Sequence, residues 1–388
     1  MTTGCTAGPR METCDVLIAG GGPAGSTCAW KLGLAGLDVV VIDRAVFPRD
    51  KVCAGWITPQ VVSELALDLD GYRRGRTLQG IRGFRTGIVG EHGDVTTTYG
   101  RPVSYGIRRC EFDHYLLSRA RARTRLGTPV RTIRRDGAAW VVNESIKTPL
   151  LVGAGGHFCP VARWLNPSTG AGPDASLVVA RETEFPVGRD RGAFATDPEL
   201  PGLYFNPDLT GYGWCFRKQG YVNVGFGHLD SGALVRATER FVEFLAERGV
   251  VPRLRSWSWR GHAYHVYPSR RRLADAGVLL VGDAAGLAYP QSGEGIRPAV
   301  ESGLLAAGAI VEADGRYDAV RLDRYAAQIR ARFEGGRLSR SLSRALPPLA
   351  GRSWAHTALR SPRFVRHVVL DRWFLHARQP ALMHGGAS

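Results

Sequence analysis

Residues 14–26 read CDVLIAGGGPAGS, and they indicate the class of fold more clearly than any other part of the chain. It begins with an apolar run of the kind found in a buried parallel strand, and it continues into three glycines that match the pattern GxGxxG. A helix-like segment, 26–36, and a second apolar run, 39–42, follow, and the run ends on Asp43. This order of strand, glycine turn, helix, strand and acid predicts a Rossmann-type dinucleotide-binding unit.

The glycines of this unit have separate physical roles. The first permits a tight turn, the second lets the backbone approach a pyrophosphate, and the third allows close packing of helix on strand. Free N–H groups at the helix start face the phosphates, and the acid is placed to accept hydrogen bonds from a ribose. The predicted dinucleotide contacts are Gly20, Gly22, Pro23, Ala24, Gly25, Asp43 and its neighbour Arg44.

A second glycine-rich segment lies much further along the chain. Residues 277–286 read GVLLVGDAAG, a buried strand with a glycine-rich end, and residues 290–296 read PQSGEGI ahead of a helix-like segment. The sequence here resembles the FAD-binding fold of the p-hydroxybenzoate hydroxylase and geranylgeranyl reductase superfamily. The resemblance implies that Asp283 contacts the ribityl chain of FAD. It also implies that backbone amides meet the pyrimidine edge of the flavin at Gly293, Glu294, Gly295 and Ile296.

A third element opens a helix with RCEFD, residues 109–113. The superfamily commonly has R-x-x-F-D at this place with its arginine near FAD, so the resemblance implies a cofactor contact for Arg109. The chain departs from the superfamily after its next strand, where Gly155 replaces the usual acid of a D-G motif. The role of that acid toward the cofactor or toward NAD(P)H is therefore not carried over.

The loop after Asp43 indicates which branch of the superfamily the chain resembles. In this superfamily the loop runs along the flavin, and here it contains PRDKVCAG, residues 48–55. This looks like the K-x-C-G-G loop of the geranylgeranyl reductases, with Ala54 in place of the first glycine. The resemblance implies that Lys51, Cys53 and Ala54 lie beside the cofactor.

A pair of aromatic segments supports the same branch. GYGWCFRK, residues 211–218, and YVNVGFG, residues 221–227, resemble the reductases' G-Y-x-W-x-F-P-K motif and the strand that follows it, with Arg217 in place of the proline. Alternation along a strand puts every second side chain on one face. That face either walls an elongated apolar cavity beside the flavin or belongs to the core of a sheet. The predicted substrate contacts are Tyr212, Trp214, Phe216 and, from the second glycine-rich segment, Tyr289.

Together these segments predict an α/β fold. It has a discontinuous Rossmann-type FAD-binding domain, an inserted β-sheet substrate domain and a C-terminal helical segment. The predicted limits are 12–75, 105–175 and 268–317 for the FAD-binding domain, 76–104 and 176–267 for the substrate domain, and 318–388 for the C-terminal segment.

The resemblance implies an FAD-dependent oxidoreductase that reduces carbon–carbon double bonds of a prenyl or other lipophilic substrate. An isolated alkene is not polarised, so hydride transfer from the flavin needs a positioned acid. Cys53 is the candidate catalytic acid, and the alternative is that it is a small buried hydrophobe. One rival function is a monooxygenase or halogenase that acts through a flavin hydroperoxide, and another is a non-catalytic flavin-binding protein. The electron donor is NAD(P)H or ferredoxin.

The distribution of charge suggests where such a protein works. The chain carries a formal charge of +16, and residues 330–378 hold eleven arginines against two acidic residues, a formal +9. Tryptophan and phenylalanine are interleaved with these arginines, a composition that suits the surface of an anionic bilayer. A solvated face or a base-composition bias would give the same arginine content. Nucleic acid is disfavoured because no recognised binding motif accompanies the charge.

The remaining composition restricts the class of protein. Seven scattered cysteines, never spaced as CxxC, argue against a disulfide framework or a zinc site. The histidines at 157, 228, 262 and 265 show no metal spacing, so we expect most of them to be ordinary core or surface side chains, and we expect no metal. No apolar run approaches the roughly 18–20 residues of a spanning helix, and no signal-like segment precedes the first strand. We expect a cytoplasmic protein, peripheral on the inner face of the membrane, and the sequence does not indicate its oligomeric state.

Overall fold

The structure is a computed structural model that describes residues 11–167, 177–188, 195–253, 257–267, 271–334 and 348–382. Its strands in chain order are β1 (Glu12–Thr13), β2 (Val16–Ala19), β3 (Val39–Asp43), β4 (Trp56–Ile57), β5 (Leu78–Ile81), β6 (Gly83–Ile88), β7 (Val95–Thr98), β8 (Ser104–Ile107), β9 (Arg123–Leu126), β10 (Ile133–Asp136), β11 (Ala139–Val142), β12 (Ile146–Thr148), β13 (Leu150–Gly153), β14 (Leu177–Pro186), β15 (Gly202–Phe205), β16 (Gly211–Lys218), β17 (Tyr221–His228), β18 (Arg260–His265), β19 (Ala274–Asp275) and β20 (Val278–Leu280).

The α-helices are α1 (Pro23–Leu34), α2 (Pro59–Glu64), α3 (Leu69–Arg73), α4 (Arg109–Arg119), α5 (Pro160–Leu165), α6 (Leu234–Glu247), α7 (Ile296–Ala313), α8 (Ala319–Glu334), α9 (Pro348–Leu359) and α10 (Pro362–Phe364). A 3₁₀ turn spans Gly282–Ala284, and wider π-type turns continue α10 over Val365–Phe374.

The first glycine-rich segment lies in a six-stranded sheet with the order β19-β20-β13-β2-β3-β9. The pairs from β20 to β9 are parallel, and β19 joins the edge antiparallel. All residues of β2, β13 and β20 are buried. Continuous apolar strands of this kind occur where both faces of a parallel sheet are covered, and here α1 packs against α7 and α4.

The turn between β2 and α1 requires two of its glycines for steric reasons. Gly20 has a φ of +124°, a conformation that residues with a Cβ rarely adopt. At Gly25 a Cβ would collide with the carbonyl oxygen of Gly20. Pro23 begins α1, where its fixed φ suits the first helical turn. The helix therefore starts directly behind the glycine turn, as the GxGxxG pattern predicts.

A second, seven-stranded sheet has the order β18-β14-β17-β16-β15-β6-β7. Its pairs are antiparallel except for β15 and β6. The predicted alternation along β16 is observed, since Trp214 and Phe216 enter one apolar core and Cys215 enters another. The core on the Cys215 side is closed by α6 through Phe241 and Phe244.

Two smaller sheets complete the fold, with the orders β1-β12-β11-β10 and β4-β8-β5. The second contains β4, the strand that ends the predicted flavin loop. The predicted fold class is confirmed: the chain is a mixed α/β protein with a Rossmann-type sheet, a larger β-sheet and C-terminal helices. The exact limits of the domains stay a prediction.

The C-terminal segment packs its described apolar side chains inward. Leu359, Val369, Leu370 and Phe374 are buried against side chains of the seven-stranded sheet. Among its large described apolar side chains, Val320 and Trp354 are exposed, with 83% and 56% of their surfaces accessible. Within the described ranges no helix is long and apolar enough to cross a bilayer. Three arginines of the predicted basic segment lie outside the described residues, at positions 337, 340 and 344.

Candidate active site

A cavity of about 940 Å³ is lined by residues of both large sheets. It brings together most of the predicted site residues, and these are Gly20, Gly22, Pro23, Ala24, Asp43, Arg44, Lys51, Cys53, Ala54, Arg109, Tyr212, Trp214, Phe216, Asp283, Gly293, Glu294, Gly295 and Ile296. Two predicted residues, Gly25 and Tyr289, are not among the described residues that line it. Gly25 lies behind the glycine turn, where its role is packing.

Tyr289, a predicted substrate contact, is not among the described residues that line the large cavity. Its hydroxyl donates to Oε1 of Gln379 at 3.0 Å, and its ring stacks on that of His376 with 3.7 Å between centroids. The cause is the turn that follows, in which the amide of Gly293 donates to the carbonyl of Tyr289. This turn presents the glycines to the cavity and directs the tyrosine ring toward the C-terminal segment.

At the dinucleotide end, the cavity begins directly in front of α1. A Cβ placed on Gly22 would find one described atom within 4 Å, Nη2 of Arg49 at 3.5 Å. The Asp43 carboxylate accepts the amides of Gly21 and Ala45, each at 2.8 Å, and this fixes it at the end of β3. The glycine turn therefore leaves an open cradle beside an arginine, and such a cradle fits a pyrophosphate.

Lys51, His262 and Asp283 form a buried chain of polar groups in the cavity. Nζ of Lys51 lies 2.5 Å from Nε2 of His262, which lies 3.7 Å from Oδ2 of Asp283. Burial lowers the pKa of Lys51 to about 8, although the charge of Asp283 opposes the shift. Burial alone would raise the pKa of Asp283, but the neighbouring His262 ring and the charge of Lys51 outweigh it and lower that pKa to about 2.

Two of the four histidines singled out in the sequence, His157 and His262, line the cavity. His262 lies on β18, in the wall of the cavity. Tyr264, two residues further along the same strand, also lines the cavity, and a Cβ on Gly293 would collide with its hydroxyl. The sequence contains a pattern that could have located this pair. In RGHAYH, residues 260–265, His262 and Tyr264 are two positions apart, so a strand puts both rings on one face.

A buried ion cluster holds the predicted arginine. Arg109 donates two hydrogen bonds to Asp113, at 2.8 and 2.9 Å, and Arg49 lies 3.0 Å from the same carboxylate. Burial would lower the pKa of Arg109, but the charge of Asp113 outweighs it and keeps that pKa above its ordinary value. The cluster presents fixed positive charge to the cavity, which suits an anionic ligand.

Cys53 belongs to the flavin loop and lines two cavities. It is half-buried, and it lines the large cavity together with a smaller one of about 270 Å³. Its Sγ accepts the amide of Gly55 at 3.4 Å. Gly55 has a φ of +67°, and a Cβ there would clash with the carbonyl oxygen of Ile107. The loop is therefore fixed around the thiol.

Aromatic side chains form the other half of the large cavity. The ring of Trp56 meets that of Phe216 edge to face at 5.1 Å, and the ring of Phe374 contacts Tyr212 at 5.2 Å. The hydroxyl of Tyr212 donates to the carbonyl of Ser292, which ties the aromatic strand to the second glycine-rich segment. This half suits an elongated apolar ligand.

The carboxyl of Glu294 lies at the start of α7, between the two halves of the cavity. Burial raises its pKa to about 7. Among the described residues, no group of His, Cys, Asp and Glu side chains could hold a metal ion. The open glycine cradle, the arginines beside it and the size of the cavity fit FAD, whose dinucleotide would lie against α1 and whose ring would lie near Cys53 and Asp283.

Comparisons with known proteins agree with this geometry. A family model described as "FAD binding domain" matches residues 13–65. A menaquinone reductase from Mycobacterium tuberculosis is 33% identical over 331 residues, which are 76% of this chain and 76% of that protein. A chloroplastic geranylgeranyl diphosphate reductase from Oryza sativa is 30% identical, over 78% of this chain and 67% of its own.

Solved structures share the fold. A geranylgeranyl bacteriochlorophyll reductase-like protein from Thermoplasma acidophilum superposes with a TM-score of 0.77 at 22% identity, over 94% of this chain and 97% of that one. The halogenase PltM, in complex with FAD, gives a TM-score of 0.68 at 16% identity, over 95% of this chain and 87% of its own. FAD is the cofactor that the fold, the cradle and these matches share. The chain belongs to the geranylgeranyl reductase family of FAD-dependent oxidoreductases.

Proposed function

We propose that this oxidoreductase reduces carbon–carbon double bonds in the prenyl chain of a lipophilic substrate. The observation that carries the proposal is the position of Cys53, between the nucleotide cradle and the aromatic half of the same cavity. The names of two relatives support the substrate class, because geranylgeranyl groups are prenyl chains and menaquinone carries such a chain.

In this proposal, different residues of the cavity bind the cofactor and transfer the proton. The glycine cradle and Arg49 would hold the pyrophosphate, and Asp283 would hold the ribityl chain, with its charge maintained by His262 and Lys51. Bound FAD supplies reducing equivalents to the alkene when it is reduced. The Cys53 thiol gives a proton to the second alkene carbon, because an unpolarised double bond needs an acid at the reacting position.

The aromatic half of the cavity determines which substrates enter. Trp56, Tyr212, Trp214 and Phe216 exclude water and bury an extended apolar chain, at about 25 cal/mol for each Å² removed from water. Hydrogen-bonding groups for a polar ring are sparse on these walls. In this proposal the electron donor that reduces the flavin is NAD(P)H or ferredoxin.

One experiment separates this function from the oxygenase chemistry of related folds. The purified flavoprotein is photoreduced without oxygen and mixed with geranylgeranyl diphosphate or a menaquinone. We expect the visible absorbance of oxidised flavin to return and the product to gain two hydrogens for each double bond reduced. Reoxidation that requires oxygen, with oxygen incorporated into the product, would overturn the proposal in favour of a monooxygenase or halogenase.

A prenyl-chain substrate resides in a bilayer, so the proposal includes peripheral contact with the anionic inner face of the cytoplasmic membrane. The formal +9 of residues 330–378 and the exposed Trp354 support this contact. Because the other described apolar side chains of the segment pack inward, we expect binding by charge. The protein should sediment with anionic but not neutral vesicles at low salt, and added salt should release it. Equal binding to both vesicles, or binding to neither, would contradict the contact.

A further inference from the structure

A second cavity of about 270 Å³ lies on the other side of the flavin loop. It shares four lining residues with the large cavity, Asp50, Lys51, Cys53 and Arg109. Its remaining wall includes a stretch of β14 that carries Glu182. Cys53 can therefore be reached from two sides, by an apolar substrate in the large cavity and by water in the small one.

Glu182 is held against the backbone of Cys53. Only 6% of its surface is exposed, and the Cys53 backbone amide lies close enough to act on the pKa of its carboxyl. Nδ2 of Asn223 lies 3.0 Å from Oε2 of Glu182 and 3.4 Å from the Cys53 carbonyl oxygen. The Trp214 indole N–H donates to Oδ1 of Asn223 at 2.7 Å, which fixes the orientation of that amide. The aromatic strand thus positions the carboxyl beside the thiol-bearing residue.

The nearby cations pair with a different carboxylate. The Glu184 carboxylate accepts hydrogen bonds from Nζ of Lys218 at 2.8 Å and from Nε of Arg108 at 2.9 Å. Burial alone would raise the pKa of Glu184, but these two cations outweigh it and hold that pKa below its ordinary value. Glu182 is hydrogen-bonded by neutral amides, and burial raises its pKa to about 7, with partial opposition from Lys218. Glu182 therefore holds an exchangeable proton near neutral pH, while Glu184 stays ionised.

We infer that Glu182 is a proton relay that returns a proton to Cys53 after each reduction, from water in the small cavity. The inference rests on the proposed function. In the reduction, bound reduced FAD would supply a hydride, which carries both electrons, to one alkene carbon, and Cys53 gives a proton to the other carbon and becomes a thiolate. The Glu182 carboxyl then gives its proton to the thiolate, directly or through one water molecule, and the carboxylate takes a proton from solvent. Atoms and charge balance, and no further reactant is needed.

The pH dependence of this relay follows from its surroundings. The charged and titratable groups that face Glu182 or line its cavity come from the loop, from α4 and from the sheet, and they are Asp50, Lys51, Cys53, Arg108, Arg109, Cys110, Glu184, Lys218 and Arg260. Glu182 is protonated below about pH 7, and its proton is lost as the pH rises through that value. Repeated turnover should decline over the same range.

The test compares the first turnover with later ones. Reduced wild-type enzyme and the Glu182→Gln variant, both with FAD bound, are mixed with geranylgeranyl diphosphate under excess dithionite. The variant should give a burst of one reduction per enzyme, followed by a steady phase slower by roughly tenfold or more, because Cys53 is reprotonated slowly. Glu182→Asp, which keeps a carboxyl, should recover part of the steady rate. A variant without a burst, whether at the wild-type rate or uniformly slow, would overturn the relay.

A second measurement needs no substrate and keeps the inference separate from the proposed function. Alkylation of Cys53 by iodoacetamide in the flavoprotein is followed by peptide mass spectrometry at about pH 8.5, where Glu182 is ionised. Removing this carboxylate in Glu182→Gln should speed alkylation roughly threefold, since the negative charge no longer opposes the thiolate. An unchanged rate would refute contact between the two groups, even if prenyl reduction itself is established.

Discussion

Gly22→Val should abolish FAD binding while leaving the fold intact. Gly22 has a φ of −72° and a ψ of −176°, an extended conformation that valine adopts readily. Its added Cβ would contact Nη2 of Arg49 at an ordinary 3.5 Å. The free energy of unfolding of the apoprotein should therefore stay within about 1 kcal/mol of wild type.

The loss of FAD-binding free energy is much larger, because the new methyl groups occupy the space through which the pyrophosphate reaches the backbone. Overpacking of this kind costs about 1–3 kcal/mol, and a lost hydrogen bond to a charged group costs about 1.5–3 kcal/mol. A combined loss of about 4 kcal/mol corresponds to about a thousandfold weaker Kd. The Gly22→Val protein should therefore be purified without flavin and should be colourless.

The assay is fluorescence titration of apoprotein with FAD, combined with urea unfolding. Gly308→Val is the matched control, since Gly308 lies on an exposed part of α7 and a Cβ there meets nothing within 4 Å. The control should keep the wild-type Kd. A Gly22→Val protein that is purified with full flavin occupancy would refute the cradle as described. An unfolded Gly22→Val protein would refute the reasoning about its backbone.

Three further perturbations test the rest of the site. Cys53→Ser should keep FAD but slow turnover by at least about tenfold, or about 1.4 kcal/mol of barrier, and unchanged turnover would reduce Cys53 to a packing residue. His262→Gln should weaken FAD binding about tenfold, measured by the same titration, because Asp283 loses the neighbouring imidazole that helps to keep it ionised. Glu294 has a folded-state pKa of about 7 against an ordinary 4.5, so its contribution to stability is complete below pH 4.5 and is lost as the pH rises through 7. Urea unfolding of apo Glu294→Gln should show a relative gain in stability that is about 2 kcal/mol larger at pH 7 than at pH 5, and a pH-independent difference would contradict the assignment.

The parts of the site that could be predicted from sequence depend on short stretches of chain. Gly20, Gly22 and Asp283 belong to turns whose geometry is set within a few residues, and Trp214 and Phe216 follow from alternation along one strand. In each case the residue type that the local turn or strand pattern favours is also the one that the surrounding fold accommodates. These positions can be predicted from sequence because their prediction requires no knowledge of which distant strands lie beside them.

The residues that sequence reasoning missed come from strands far from the flavin loop. His262 and Glu182 reach Lys51 and Cys53 because β14 and β18 pair in one register, with Ala180 opposite His262. A shift by one residue would turn every side chain of a strand to the other face. Neither composition nor spacing determines that register, so both residues looked like ordinary polar positions in a sheet.

For the C-terminal segment, the sequence does not decide what the apolar side chains contact. Leu359 and Phe374, set among arginines, give the same amphipathic pattern whether the apolar side faces a bilayer or a protein core. In the structure that side covers the seven-stranded sheet. Tyr289 is a related case, since the direction of one turn decides whether its ring faces the cavity or the C-terminal segment.

The packing of Phe374 against Trp56 and Tyr212 has a consequence for biosynthesis. A chain grows from its N-terminus, so the nucleotide cradle and the aromatic strand leave the ribosome long before residues 359–375. Until those residues emerge, the rings of Trp56 and Tyr212, which line the large cavity, lack the side chains that pack against them. The glycine cradle and the aromatic strand are by then already synthesised. The packing that supports the apolar wall of the cavity is therefore the last part of the site to be completed.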